Sequence, residues 1–141
     1  MIQNYLKYGV FVLFGLVFNS VQAQVSNFRF TGLWSSAINW TAGIPTIADD
    51  VTVNSFVAGT LDVDGFCNNL NITGIAGSLT VNAGQTLTIN GELNKGLFGS
   101  ITNNGTIVIY GDINYFGTRK IEVAGSVTIA TGLNFDGFSI N

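Results

Sequence analysis

The sequence predicts an all-β fold: a right-handed parallel β-helix (β-solenoid) of about four to five coils with an N-terminal cap. Three observations predict it. The stretch from Leu87 to Asn134 repeats every twenty residues, so that Leu87, Ile107 and Val127 share a column, as do Ile89, Ile109 and Ile129. Leu93, Ile113 and Leu133 form another column, and Asn94, Asn114 and Asn134 a fourth. The repeat also alternates β-branched residues and places glycines at its breaks, Gly91 aligning with Gly111, Gly105 with Gly125, and Ile101 with Ile121 between them. That is the pattern of stacked coils rather than of a closed globule. Finally, no stretch beyond residue 23 has helical periodicity. Right-handed winding follows from the general hand of parallel crossover connections.

The 141-residue chain opens on Lys7, an apolar run from Val10 to Phe18, and Val21-Gln22-Ala23. This layout predicts a secretory signal peptide over 1–23, cleaved near Ala23. A retained anchor is the competing reading, and the run falls short of the roughly 20 apolar residues that a span needs. Residues 24–141 suffice for one domain. Losing Lys7 takes the formal net charge from −3 to −4. Among the remaining bases only Arg119 and Lys120 are adjacent, which argues against nucleic acid, because phosphate binding needs clustered cations.

The chain has no histidine, so histidine acid–base chemistry and histidine zinc sites are excluded. Cys67 is the single cysteine. It cannot close an internal disulfide, and reads as a small apolar residue inside the coil, the alternative being an intermolecular cross-link. Only 9% of residues are charged. Asn, Thr, Ser and Gly therefore supply the polar surface, which suits extracellular β-structure.

In chain order, Phe28 and Phe30 alternate as a short strand would within the otherwise indefinite stretch from Gln24 to Phe30. Then come Leu33-Trp34, Trp40 six residues later, Gly43-Ile44-Pro45 with the only proline, and Asp49-Asp50 leading into Val51-Thr52-Val53. This string resembles the opening of secreted bacterial β-solenoid surface proteins, adhesin-like in character, and is also similar to the start of the G8 domain. The resemblance continues through Cys67-Asn68-Asn69-Leu70-Asn71-Ile72 and Leu79 to Ile89, covering roughly residues 33 to 110. It implies an extracellular solenoid on a bacterial cell surface. Physically, residues 24–50 are expected to cap the first coil, because a stacked coil otherwise exposes its apolar interior and strand edges. Trp34 and Trp40 suit that task, the alternative being a sugar-stacking platform.

The coils are expected to occupy residues 51–141. Val51 and Val53 start the first, with Leu61 and Val63 as its second alternating pair. Leu70 and Ile72 start the next, followed by Leu79 and Val81. Starts at Val51, Leu70, Leu87, Ile107 and Val127 are separated by 19, 17, 20 and 20 residues. Positive φ at Gly59, Gly65, Gly74, Gly77 and Gly84 is expected to absorb the variation in turns. Advancing one strand spacing per coil, the rod measures about 20 Å. The coil begun at Val127 stops at Asn141. Either the chain is the N-terminal part of a larger exoprotein, or its open end docks a partner.

Several side-chain groups are candidates for chemistry. Asp62 and Asp64, flanking Val63, are expected to point outward about 7 Å apart; they read as a solvated turn region or a weak calcium contact with Asp49 or Asp50, the competing reading being paired glycosidase carboxylates. Glu92 and Asp112 occupy equivalent positions on neighbouring coils, either with a cation between them or as two exposed side chains splayed apart. Asn94, Asn114 and Asn134 are expected to hydrogen-bond from rung to rung. Thr86 and Thr88, Thr106 and Val108, and Ser126 and Thr128 make an outward grid of hydroxyls and methyls, the arrangement used by ice-binding solenoids. Tyr110, Tyr115, Phe116 and Phe135 are a candidate carbohydrate strip, in which Tyr115 and Phe135 share a column. Asn39, Asn71 and Asn104 head glycosylation sequons. None of these groups makes a catalytic constellation, and no catalytic, cofactor-binding or metal-binding residue is assigned. The expectation is therefore a non-enzymatic, cofactor-free protein, secreted or on the cell surface, with a structural or adhesive role and an extracellular glycan or surface as partner. A carbohydrate-binding or carbohydrate-active β-helix fragment is the alternative, with ice binding through the Thr/Val face as a third reading.

Overall fold

The computed structural model describes residues 22–115, 121–123, 125–129 and 135–136. These residues form a parallel β-solenoid of about four turns, with no α-helix among them. A partial rung comes first, made of β1 (Val25–Phe28) and β2 (Gly32–Leu33). The first full coil is β3 (Asp50–Val53), β4 (Ala58–Leu61) and β5 (Gly65–Cys67). The second is β6 (Leu70–Ile72), β7 (Ile75–Val81) and β8 (Thr86–Ile89), and the third β9 (Leu93–Lys95), β10 (Phe98–Asn103) and β11 (Thr106–Ile109). A fourth contains β12 (Ile113–Tyr115), β13 (Ile121–Val123) and β14 (Ser126–Ile129), and β15 (Phe135–Asp136) opens a fifth.

Each coil contributes one strand to each of three parallel sheets. The first sheet runs β1-β3-β6-β9-β12-β15, the second β2-β4-β7-β10-β13, and the third β5-β8-β11-β14. Alternation within every strand turns one set of side chains inward, where like stacks on like. Val51, Leu70, Leu93 and Ile113 make one buried column on the first sheet, Leu79 and Ile101 one on the second, and Leu87 and Ile107 one on the third, with Val127 packed against it. Burying each such side chain contributes about 1.5–3 kcal/mol. The columns, rather than any one contact, therefore hold the rod.

The register corrects the expected coil starts. Leu70 pairs with Leu93, not with Leu87, whose partner is Gly65. Val51 and Leu70 belong to the first sheet, whereas Leu87, Ile107 and Val127 belong to the third. The apparent 17-residue step was a walk across faces within one coil. The twenty-residue period holds between β8, β11 and β14, between β9 and β12, and between β10 and β13. It lapses afterwards, since Ile113 pairs with Phe135 and Asn114 with Asp136. Tyr115 and Phe135 thus do not share a column, while Leu133, Asn134, Phe138, Ile140 and the end of the last coil lie outside the described residues.

Two other expectations change. Val63 is 41% exposed, and the inward pair of β4 is Gly59 and Leu61. Gly59 and Gly65 serve by lacking a side chain rather than by positive φ, which among the expected glycines is adopted by Gly74 and Gly84. A Cβ on Gly65 would meet Leu61 Cδ1 at 2.5 Å and the Trp34 ring at 3.1 Å, so those two side chains own the space. Phe30 is exposed just beyond β1, whereas Phe28 is fully buried.

The N-terminal segment closes the open end. Phe28 makes an antiparallel bridge to Trp40, with Arg29 N–H bonded to Asn39 O (2.7 Å) and Thr41 N–H to Asn27 O (3.1 Å). The Thr41 hydroxyl accepts from Asn27 N–H, and the Ser26 hydroxyl donates to Gly43 O. These contacts occupy the outer edge of β1, which would otherwise template another strand. Beneath them Trp34 and Trp40 meet edge to face with centroids 4.7 Å apart, and Trp40 meets Phe28 likewise at 4.6 Å. Trp40 Nε1 donates to Trp34 O at 2.8 Å, satisfying its one polar atom.

Candidate functional site

The buried tryptophans offer no ring face to a sugar, since Trp34 and Trp40 are 1% and 3% exposed. Cys67 is likewise inside, at the end of β5. Burial raises its thiol pKa, and the negative charge of Asp50 adds to the effect. The thiol is thereby held in its unreactive protonated form.

The candidate carboxylates are dispersed among separate turns. Asp49 is buried and accepts from Gln24 N–H, Thr46 N–H and the Thr46 hydroxyl, fixing the loop before β3. Burial acts to raise its pKa, but the hydrogen bonds from Thr46 and Gln24 outweigh it and hold the carboxyl below its usual value. Asp50 accepts from Asn68 Nδ2 and from the amide and side chain of Asn69, tying the first coil to the second. Asp62 takes the backbone N–H and hydroxyl of Ser35, at 3.0 and 2.6 Å, and so pins the cap to the first coil. Desolvation again opposes, yet the Ser35 bonds and nearby backbone amides keep its pKa low. Asp64 accepts from Thr86 N–H on the next coil. Asp62 and Asp64 thus hold different parts of the fold, and no three acidic or cysteine side chains converge among the described residues.

The asparagine ladder is present, shifted one rung toward the N-terminus. Asn94 Nδ2 donates to Asn71 Oδ1 at 3.0 Å, and Asn114 Nδ2 to Asn94 Oδ1 at 2.8 Å. It runs up the middle of strands β6, β9 and β12 rather than through a turn. Glu92 Oε2 accepts from both Asn94 and Asn114, at 3.4 and 3.3 Å. Of the sequon asparagines, Asn71 belongs to this ladder and Asn39 is buried with its amide on Leu33 O, which leaves Asn104 exposed.

The hydroxyl grid occupies the outer face of the third sheet as expected, with Thr86, Thr106 and Ser126 in one row and Thr88, Val108 and Thr128 in the next. Thr106 and Ser126 hydroxyls bond at 3.0 Å. Phe66, 45% exposed, extends the second row. The second sheet carries a further grid that sequence reasoning missed: Ala58, Ser78 and Ser100 form one row, and Thr60, Thr80 and Thr102 the other. The irregular 20- and 22-residue steps between β4, β7 and β10 hid it.

Two more features were missed. Lys95 is 1% exposed, in the inward column above Ile72, with Nζ donating to Gly96 O at 3.2 Å. Strict alternation from Leu93 already places it inside. The other is a ridge where each coil bends from the first sheet to the second. Phe56, Ile75, Leu97 and Phe98 are there 75%, 57%, 50% and 46% exposed. Phe56 N–H bonds Ile75 O (3.0 Å), and Ile75 pairs with Phe98, so the three climb the corner rung by rung. Phe56 and Ala76 have φ of 62° and 60°, and the register shifts between Phe98 and Ser100. A bulky residue in that left-handed region costs on the order of 1–3 kcal/mol. Of the expected strip, Tyr110 is 55% exposed and Phe135 pairs with Ile113 rather than Tyr115, while Phe116 and the side chains of Tyr115 and Phe135 lie outside the described residues.

No helix among the described residues is long and apolar enough to cross a membrane. Comparison with protein-family models, curated proteins and solved structures finds no match to this chain.

Proposed function

We propose that the protein is a secreted, cell-surface-associated β-solenoid with a structural or adhesive role. The observation that carries this reading is the rod's exterior: regular rows of uncharged Thr, Ser and Asn side chains line all three sheets around an interior that is largely apolar, Lys95 and Asn103 being its inward polar members on β9 and β10. Such a rod is a spacer and a repetitive contact surface. The acidic side chains support it further, because Asp49, Asp50, Asp62 and Asp64 are each engaged in holding turns or the cap. The signal-peptide pattern over 1–23 supplies the route out of the cell.

Protease shaving of intact source cells, followed by mass spectrometry of the released peptides, tests the proposal. Peptides from the coils are expected in the shaved fraction, with a mature N-terminus near Gln24. Recovery of the protein solely from the cytoplasm, with residues 1–23 retained, contradicts it.

A further inference from the structure

The geometry points to a binding site for an uncharged polysaccharide chain along the corner ridge formed by Phe56, Ile75 and Phe98, flanked by the hydroxyl rows of the second sheet. This inference rests on the adhesive reading above and deepens it by naming the ligand. Three observations converge on that corner. Phe56 and Phe98 are exposed aromatic rings two rungs apart, a separation of roughly 9.6 Å along the axis, with Ile75 between them. Aromatic faces at such intervals match the apolar C–H faces that recur along a sugar polymer.

The backbone is also held in place for this display. Phe56 sits at φ 62° in a turn closed by Val57 N–H to Asn54 O at 3.3 Å, which turns Val57 against the core and leaves Phe56 75% exposed. Its N–H is tied to Ile75 O, and Ile75 N–H to the Ser55 hydroxyl at 3.2 Å. The turn and these two bonds fix the backbone from which Phe56 and Ile75 project.

The surroundings then select the ligand's chemistry. Across the stretches 51–61, 70–81 and 93–103, which run from the first sheet over the corner to the second, the single charged residue is Lys95, and its side chain is interior. The outward neighbours are Ser78 and Ser100, then Thr60, Thr80 and Thr102, and on the other side Thr52, Asn71 and Asn94. An acidic glycan or a lipid headgroup finds no cation there, whereas neutral hydroxyls find partners in every row. A peptide adding as a strand finds no free edge, since β4, β7 and β10 are each paired on both sides.

Native affinity electrophoresis of the full chain tests the site, in gels containing hydroxyethyl cellulose, galactomannan, dextran or the acidic polymer alginate. Retardation is expected in at least one neutral gel and not in alginate. The double variant Phe56→Asn/Phe98→Ser is expected to bind about tenfold more weakly, two ring contacts being lost. Asn tolerates the left-handed backbone, so the single variant Phe56→Asn is expected to match or exceed the wild-type melting temperature and still weaken retardation. Mobility unchanged in every neutral gel, retardation in alginate equal to or above that in neutral gels, or wild-type retardation of the double variant overturns the site. If the double variant still attaches to the cell surface as the wild type does, this inference fails alone. If the wild type is absent from the surface, the adhesive reading fails while the gel result stands.

Discussion

Replacing Asn94 by Ala removes the central member of the amide ladder. Asn94 donates to Asn71 at 3.0 Å and accepts from Asn114 at 2.8 Å, so the substitution breaks both rung-to-rung bonds at once. Each hydrogen bond contributes about 0.5–1.5 kcal/mol net. Because the ladder is half-exposed, water re-solvates the orphaned amides, and the expected loss is about 1–3 kcal/mol rather than the larger penalty of a buried orphan. Asn114→Ala breaks one described rung bond, and both variants also lose a longer contact to Glu92, at 3.4 Å from Asn94 and 3.3 Å from Asn114, so Asn114→Ala should cost about half to two-thirds as much. At roughly 4 °C per kcal/mol for a domain of this size, Asn94→Ala lowers the melting temperature by about 4–12 °C. Thermal unfolding followed by far-ultraviolet circular dichroism measures both variants, and a double-mutant cycle of Asn71 with Asn94 isolates their coupling, expected near 1 kcal/mol. If Asn94→Ala costs no more than Asn114→Ala and the cycle returns no coupling, the ladder is a by-product of stacking and the reasoning fails.

Trp40→Ala opens the cap by deleting two edge-to-face contacts and the Nε1 bond to Trp34 O; urea unfolding should show a loss of about 3–5 kcal/mol. Asp49 and Asp62 have folded pKa values below their unfolded ones. The unfolded chain therefore binds more protons in acid, so the stability they contribute is complete above about pH 5 and falls away from about pH 4 downward. A urea-midpoint series from pH 6 to pH 2.5 checks this, and Asp49→Asn with Asp62→Asn should flatten its acid limb. Cys67, buried with a raised pKa, should resist a thiol-specific chromogenic reagent at pH 8 and react fully once denatured; rapid modification of the native protein would place the thiol at the surface.

Much of the fold was legible because a solenoid repeats its packing problem. Leu87, Ile107 and Val127 lie in one column since three successive coils there meet the same neighbours. What alternation alone cannot encode is which face a strand belongs to, because all three faces alternate alike. Leu70 and Leu87 therefore looked like successive coil starts, although one belongs to the first sheet and the other to the third. The same blindness hid the Ser and Thr rows of the second sheet, whose steps of 20 and then 22 residues place Thr60, Thr80 and Thr102 in line. Lys95 breaks the apolar rule while obeying the alternation rule, and alternation won. The aromatic corner was the least legible. Phe56 sits in a bend, and Ile75 and Phe98 open β7 and β10 ahead of the regular alternation, so only the register between coils brings them together. The carboxylates show the reverse: Asp62 and Asp64 are close in sequence, yet one bonds Ser35 in the cap and the other Thr86 in the next coil.

Everything outside the rod, the hydroxyl rows and the corner ridge alike, depends on the register between coils, and paired cysteines read that register directly. Thr80 and Thr102 are partners on neighbouring strands, about 4.8 Å apart and within reach of a disulfide. A strict twenty-residue repeat would instead set Thr80 beside Ser100, which this register places on a diagonal about 8 Å away, beyond disulfide reach. Under mild oxidation Thr80→Cys/Thr102→Cys is expected to form an intramolecular disulfide, seen by mass spectrometry of the linked peptides, while Thr80→Cys/Ser100→Cys stays reduced. Cross-linking of the second pair and not the first contradicts the stacking, and with it the rows and the ridge.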